Sequence, residues 1–202
     1  MDLNRTIERA RAILLSPRSQ WLLIAAEPDS VAGLYRRYIL VLAAIAPVCA
    51  FIRISLIGYA WHGFRVYRLG VGTGLTAAII WYVLILLTVY VLAIVVDAVA
   101  PNFAASTDRV RALQLVGYSS TAAWVAGFAQ LLPDSLRSLL ALAGFCYGLY
   151  LFYLGLPLLM RVPPERVAGY VATYVIIAVV LDWIVHLMTG SITGRAAFAL
   201  GE

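Results

Sequence analysis

Lysine is missing altogether, and charged residues of every kind make up 12% of the 202 positions, against about 25% in an ordinary soluble domain. So little charge excludes both a water-soluble globule and a disordered chain, which depend on polar groups to stay solvated. Two histidines and two cysteines leave no C-x-x-C metal motif and no disulfide framework. Cys49 and Cys146 both fall inside apolar runs, where a free thiol reads as a small buried hydrophobe. Also missing are a Gly-x-Ser-x-Gly elbow, a His-Glu-x-x-His pair, a P-loop and a paired-carboxylate magnesium motif. Gly190-Ser191 beside His186 has the outline of an intramembrane serine protease. However, Ser191 lies beyond the last apolar run, with no oxyanion hole to act with. The composition therefore points away from catalysis, metals and cofactors.

Apolar residues, by contrast, fill 63% of the chain, with a mean hydropathy of +0.92. They gather in five runs, at Tyr38–Ile57, Thr73–Val96, Ala112–Leu132, Leu139–Met160 and Val167–Leu187. A bilayer core takes about 20 residues per helical crossing. The runs lack the alternation of barrel strands, so each backbone must satisfy its own hydrogen bonds as a helix. The expected fold is all-α, a five-transmembrane-helix bundle over residues 35–190. Pro47 and Pro157 fall inside spans as expected bends, and a tight turn at Pro133 makes runs three and four a hairpin with Asp134 or Ser135 as N-cap. Gly144 with Gly148, and Ala123 with Gly127, are small-xxx-small pairs suited to close helix packing, within the chain first and between two copies second.

Residues 1–34 form neither a signal peptide nor a crossing, because their apolar stretches are short and broken by Ser16, Pro17 and Arg18. Ser16 and Pro17 read as the N-cap and first residue of a helix. Trp21, Leu22, Ile24 and Ala25 are then expected to dip into the membrane interface while Arg18 meets headgroups. Fifteen arginines against ten acidic residues give a charge of +5. They are dealt out between apolar runs rather than clustered into a nucleic-acid-binding face. With five crossings, ten arginines fall on the N-terminal side and four on the other. This places the N-terminus in the cytoplasm and residues 191–202 in the periplasm, with anionic lipid headgroups as the expected partner.

Two polar constellations stand out within the spans. Arg53, near the outer end of the first, and Asp182, near the outer end of the fifth, lie at similar depth, with His186 one turn beyond Asp182 on the same face. An ion pair between Arg53 and Asp182 is the expectation. It would fasten the two helices or form part of a solute or proton path, and snorkelling of Arg53 to the headgroups is the competing reading. The second set is Gln114, Tyr118 and Thr121 on one face of the third run, with Tyr150 and Tyr153 on the fourth and Tyr90 and Asp97 on the second. Together these read either as a cytoplasm-facing polar cleft or as interface belts and interhelical packing.

With the spans placed, the chain resembles the bacterial branch of the Yip1 family of five-span membrane proteins. The residues that carry the likeness are Gly117-Tyr118-Ser119, Trp124-Val125-Ala126-Gly127, Leu149 to Pro157 running into Met160-Arg161-Val162-Pro163, and Ala168-Gly169-Tyr170. Trp21, Glu27-Pro28 and Leu34-Tyr35 add to it in the N-terminal half. Leu34 and Tyr35 match part of the Asp-Leu-Tyr-Gly-Pro stretch of eukaryotic members, and Gly117 and Tyr118 match their Gly-Tyr pair. Gly33, Arg36 and Arg37 depart from the first motif, and Ala122 stands where many relatives carry proline. The resemblance therefore does not extend the GTPase engagement of eukaryotic members to this chain. It implies five spans and a cytoplasmic N-terminus but no settled biochemical activity for the bacterial branch, and the missing catalytic motifs make a noncatalytic integral protein of the inner membrane the expectation. Such a protein acts on membrane organisation or as a scaffold for other membrane proteins, with a membrane-protein partner or a homodimer as further expectations. The rival is a small-solute, ion or proton transporter using Arg53, Asp182 and His186.

Overall fold

A computed structural model describes residues 3–61 and 65–199, apart from the side chains of 59–67, 186, 189 and 191–199. The chain opens with a helical hairpin, α1 (Leu3–Leu15) and α2 (Pro17–Ala26). Ser16 sits at the N-cap position and Pro17 opens α2, as the dipeptide implies. Pro17 lacks the N–H that a helix start leaves unpaired, and its fixed φ suits the first turn. The first long helix, α3 (Val31–Ile57), is capped by Ser30, whose Oγ accepts from the Gly33 N–H at 3.1 Å. Two stretches of α3, Tyr35–Ile39 and Ile52–Ile57, widen to i→i+5 bonding. Between them the helix turns at Ala44, since Pro47 has no N–H to offer the carbonyl of Ala43.

A short antiparallel pair, β1 (Tyr59–Trp61) and β2 (Arg65–Tyr67), aligns Tyr59 with Tyr67. It leads to α4 (Val71–Val99) and a 3-10 turn at Ala100–Phe103. The third segment is broken into α5 (Arg109–Ser119), α6 (Thr121–Ala126) and a 3-10 stretch, Gly127–Leu131. Two long helices complete the chain, α7 (Asp134–Met160) and α8 (Pro164–Ala199). Pro133, rather than Asp134 or Ser135, occupies the N-cap of α7. Asp134 instead lies in the first turn, where its charge complements the helix dipole. The fifth helix does not stop near residue 187: α8 continues as helix to Ala199.

Among the described residues, four helices are long and apolar enough to cross a membrane: α3, α4 through its 3-10 turn, α7 and the Pro164–Val185 part of α8. The third of the five expected runs is the one that forms no membrane-length helix. Its break falls at Ser119-Ser120-Thr121, where Ser120 Oγ donates to the Val116 carbonyl at 2.8 Å and Thr121 Oγ1 to that of Tyr118 at 2.6 Å. Hydroxyls that bond back to the preceding turn compete with the helix ladder. The broken segment is nevertheless the centre of the molecule, with every residue from Ala112 to Ser119 buried.

Contacts along the helices show their directions. Gly117 faces Leu34, Tyr38 reaches Thr121, Gly127 faces Ala46 and Arg53 reaches Leu131, so the third segment runs parallel to α3. Against α7 it runs antiparallel, Gly144 meeting Ala122 and Ala126, and Gly148 meeting the Ser119 carbonyl. The small residues at 144 and 148 thus let α7 approach its hairpin partner, as expected, whereas Gly127 packs on α3. Tyr35 Oη donates to the Leu86 carbonyl and Tyr82 Oη to that of Leu40, both at 2.8 Å, so α4 runs antiparallel to α3. Of the two cysteines, Cys49 is buried as expected but Cys146 is exposed on the outside of α7.

Candidate functional site

The N-terminal hairpin does not lie free on a membrane surface. Ile13, Trp21 and Ile24 are within 1% of complete burial and enter the same core as the third segment and α7. Trp21 fits because residue 155 is glycine: a Cβ there would stand 2.7 Å from Trp21 Cε2 and 2.8 Å from Leu115 Cδ1. Trp21 and Ile24 therefore depart from the interfacial role read from their spacing. Lipid and protein interior are equally dry, and an apolar helix face matches either. Leu15, Leu22 and Leu23 remain exposed on the outer side.

Polar contacts hold the docked hairpin at several points. Thr6 Oγ1 donates to the Arg37 carbonyl at 2.5 Å, Tyr147 Oη to the Leu14 carbonyl at 2.6 Å, and Arg111 Nη1 to the Ile24 carbonyl at 3.2 Å. Within the hairpin, Arg9 Nη2 donates to both carboxylate oxygens of Glu27, at 2.7 and 2.6 Å. Burial opposes the charge of Arg9, but the hydrogen bond and charge of Glu27 outweigh it and raise the guanidinium pKa. Asp29 and Arg37 pair at 2.7 Å beside it. Asp29 and Tyr147 escaped the reading of the sequence, which counted Arg9 and Arg37 only as cytoplasmic-side cations and Glu27 only as part of the family likeness; Tyr147 lies within a run of uniform hydropathy that carries no sign of which tyrosine faces inward.

Beneath the hairpin lies a cluster of aromatic and polar side chains. Tyr118 meets Trp21 edge-on at 6.2 Å between ring centroids, and Tyr38 at 4.6 Å. Tyr38 Oη and Thr121 Oγ1 lie 2.7 Å apart. Since Thr121 gives its one proton to the Tyr118 carbonyl, the Tyr38 hydroxyl must be the donor. Gln114, also buried, accepts from Arg111 Nη1 at 3.1 Å. Replacing Thr121 with valine leaves the Tyr38 hydroxyl without an acceptor in a dry core, at an expected cost of about 1–3 kcal/mol. Tyr38→Phe combined with Thr121→Val is expected to cost less than the two changes summed, measured by unfolding in mixed micelles.

This cluster gathers some expected residues and disperses others. Gln114, Tyr118 and Thr121 share a buried face, but Tyr150 and Tyr153 are exposed on the outside of α7, at 41% and 51%. Tyr90 and Asp97 are partly buried on α4, and Asp97 lies 4.0 Å from Arg109. The seven residues therefore do not line one cleft. The reason is angular: tyrosines on the outer side of a membrane helix meet the interface rather than the bundle. Hydroxyls on the inner side fasten helices, as when Tyr170 Oη donates to the Val96 carbonyl.

The expected ion pair between Arg53 and Asp182 does not form. Arg53 Nη1 donates to the carbonyls of Leu131 and Leu132 at 3.3 and 3.0 Å, while Asp182 is exposed on α8. Equal depth does not bring two side chains to the same side of a bundle. The end of the 3-10 stretch also presents unpaired carbonyls that attract a guanidinium. The side chain of His186 lies outside the described residues.

Among the described residues there is no group of His, Cys, Asp and Glu able to hold a metal. Helices crossing in alternate directions, a buried central segment and a docked amphipathic hairpin define an all-α polytopic membrane protein. The Yip1 domain family matches residues 11–193, and the chain belongs to the Yip1 family. It is similar to the inner membrane protein YohC of Escherichia coli strain K12, at 27% identity over 166 residues, covering 82% of this chain and 85% of that protein. YohC of the O6:H1 strain of Escherichia coli gives the same identity and coverage. No solved structure matches significantly.

Proposed function

We propose that this protein is a noncatalytic organiser of the bacterial inner membrane, which presents its docked hairpin to the cytoplasmic headgroup layer. The observation that carries this reading is the two-faced hairpin. Ile13, Trp21 and Ile24 anchor it to the bundle, while Leu15, Leu22 and Leu23 are 52–70% exposed beside the exposed Arg11 and Arg18. An apolar face flanked by cations suits the boundary between headgroups and acyl chains. Anchoring keeps that wedge at a fixed place on the bundle, so the reading rests on shape and charge rather than on a reacting group.

The arginine distribution supports a cytoplasmic N-terminus and a C-terminus on the opposite side, with the third segment as the fifth crossing. Arg109 and Arg111 cluster with Asp97 and Ile24 at the hairpin end, in keeping with the positive-inside rule. Transport through Arg53, Asp182 and His186 has weaker support, because the Arg53 guanidinium is engaged by backbone carbonyls at a helix end.

The test uses the full chain in bilayers, with a fluorophore at position 22 and brominated lipids as quenchers. Strong quenching is expected in anionic bilayers. Arg11→Gln with Arg18→Gln should shift the immersion equilibrium by roughly 30-fold, from about 1 kcal/mol for each arginine at an anionic surface. Equal quenching with and without the two arginines would remove the electrostatic part. No quenching at all would remove the wedge.

A further inference from the structure

The end of the bundle away from the hairpin carries a different feature. A groove of about 540 Å³ opens between α3, the start of α4, the end of the third segment, the start of α7 and the end of α8. That volume falls within the range of about 300–1,000 Å³ typical of small-molecule sites. Small side chains make the space: Ala77 and Ala78 of α4 and Ala141 of α7 leave a trough walled by Phe51, Ile54 and Trp81. Its polar side is confined to Gln130, Arg137 and Ser138.

Charge is concentrated at that polar side. Arg137 lies 3.1 Å from Asp134, a carboxylate 78% exposed to solvent. From the other side, Arg53 reaches the same turn and donates Nη1 to the Leu131 and Leu132 carbonyls. Its Nε and Nη2 make no hydrogen bond among the described residues. Two guanidinium groups therefore bracket residues 131–134 with a single carboxylate between them, leaving one positive charge beside an otherwise apolar trough. Ser138 Oγ donates back to the Asp134 carbonyl at 2.9 Å, so the donors left to meet an anion are those of Arg137, the charged one, and the side-chain amide of Gln130.

A trough with dry walls and one cationic end matches an amphiphile with a single anionic group. We propose that this groove holds an anionic membrane phospholipid, one acyl chain lying along Ala77, Ala78 and Ala141 and the headgroup phosphate at Arg137. Arg53 stands outside the lining, on the Leu131 and Leu132 carbonyls, and offsets the charge of Asp134. Arginine suits the phosphate because its planar fork of donors matches phosphate oxygens. The site is at the opposite end of the bundle from the hairpin and does not depend on it.

The full-length protein, reconstituted in bilayers of phosphatidylglycerol and phosphatidylcholine and then extracted in mild detergent, is examined by native mass spectrometry for retained lipid. The wild type is expected to retain phosphatidylglycerol in preference to phosphatidylcholine. Arg137→Gln should lower that preference about fivefold. Filling the trough by Ala141→Phe, or from the facing helix by Ala77→Leu, should remove retained lipid of both headgroups. Arg11→Gln with Arg18→Gln should leave retention unchanged, which separates this site from the action of the hairpin. Short-chain phosphatidylglycerol should displace the bound lipid, whereas inorganic phosphate and glycerol phosphate should not. Undiminished retention in both filled variants, an unaltered preference in Arg137→Gln, or displacement by inorganic phosphate would each overturn the assignment.

Discussion

Trp21→Ala is expected to release the N-terminal hairpin from the bundle. The indole is fully buried against Gly155, Leu115 and Tyr118, and a large aromatic removed from such a site costs about 3–5 kcal/mol. Much of that loss falls on docking, because the hairpin's other anchors are Ile13, Ile24 and a few hydrogen bonds. Limited proteolysis should cut the variant between α2 and α3 at conditions that leave the wild type whole, while the four long helices stay protected. Trp21→Phe should be far milder. The indole N–H is buried without a partner, so its removal relieves an unsatisfied donor as it gives up some packing. Equal release by alanine and phenylalanine would show that the indole acts through a polar contact rather than through volume.

Gly127→Leu should force two segments of the bundle apart. A Cβ at this position would lie 2.8 Å from the Ala46 Cβ and 3.0 Å from both Ala46 Cα and N. The obstruction is backbone, which no rotamer change relieves, so the third segment and α3 must separate. Overpacking of this kind costs roughly 1–3 kcal/mol and occasionally more, and contact with a helix backbone places Gly127→Leu at the upper end. Gly70→Ala serves as the control, since nothing lies within 4 Å of the corresponding Cβ. Unfolding in mixed micelles should separate the two variants clearly. A Gly127→Leu protein as stable as the Gly70→Ala protein would mean that the two segments do not meet there.

How far the chain could be understood before its fold was known depends on the kind of signal. Long uniform apolar stretches stand out in any sequence, and four of them form membrane-length helices. The third is visible by length, and so is the hydroxyl run Ser119-Ser120-Thr121 that breaks it, but hydropathy does not report the competition of those hydroxyls with the helix ladder. Hydropathy cannot distinguish immersion in lipid from burial in protein, so Trp21 and Ile24 showed as apolar while their destination did not. The same blindness to direction around a helix joined Arg53 to Asp182 by depth, and grouped the exposed Tyr150 and Tyr153 with the buried Tyr118. Gln114, Tyr118 and Thr121 were recognisable as one face because their spacing is local to one segment. Their partner Tyr38 comes from α3, 83 positions from Thr121, and no local pattern reports so distant a contact.

Docking of the hairpin on the bundle carries the proposed membrane role, and cross-linking in native membranes tests it most directly. Tyr147 Oη reaches the Leu14 carbonyl at 2.6 Å, so Leu14→Cys and Tyr147→Cys, with Cys49→Ala and Cys146→Ala to remove the native thiols, should be joined efficiently by a short bifunctional thiol reagent. Adding Trp21→Ala should abolish most of that product. Cross-linking at this pair no more frequent than between Leu14→Cys and Leu136→Cys, at the far end of α7, would contradict a docked hairpin.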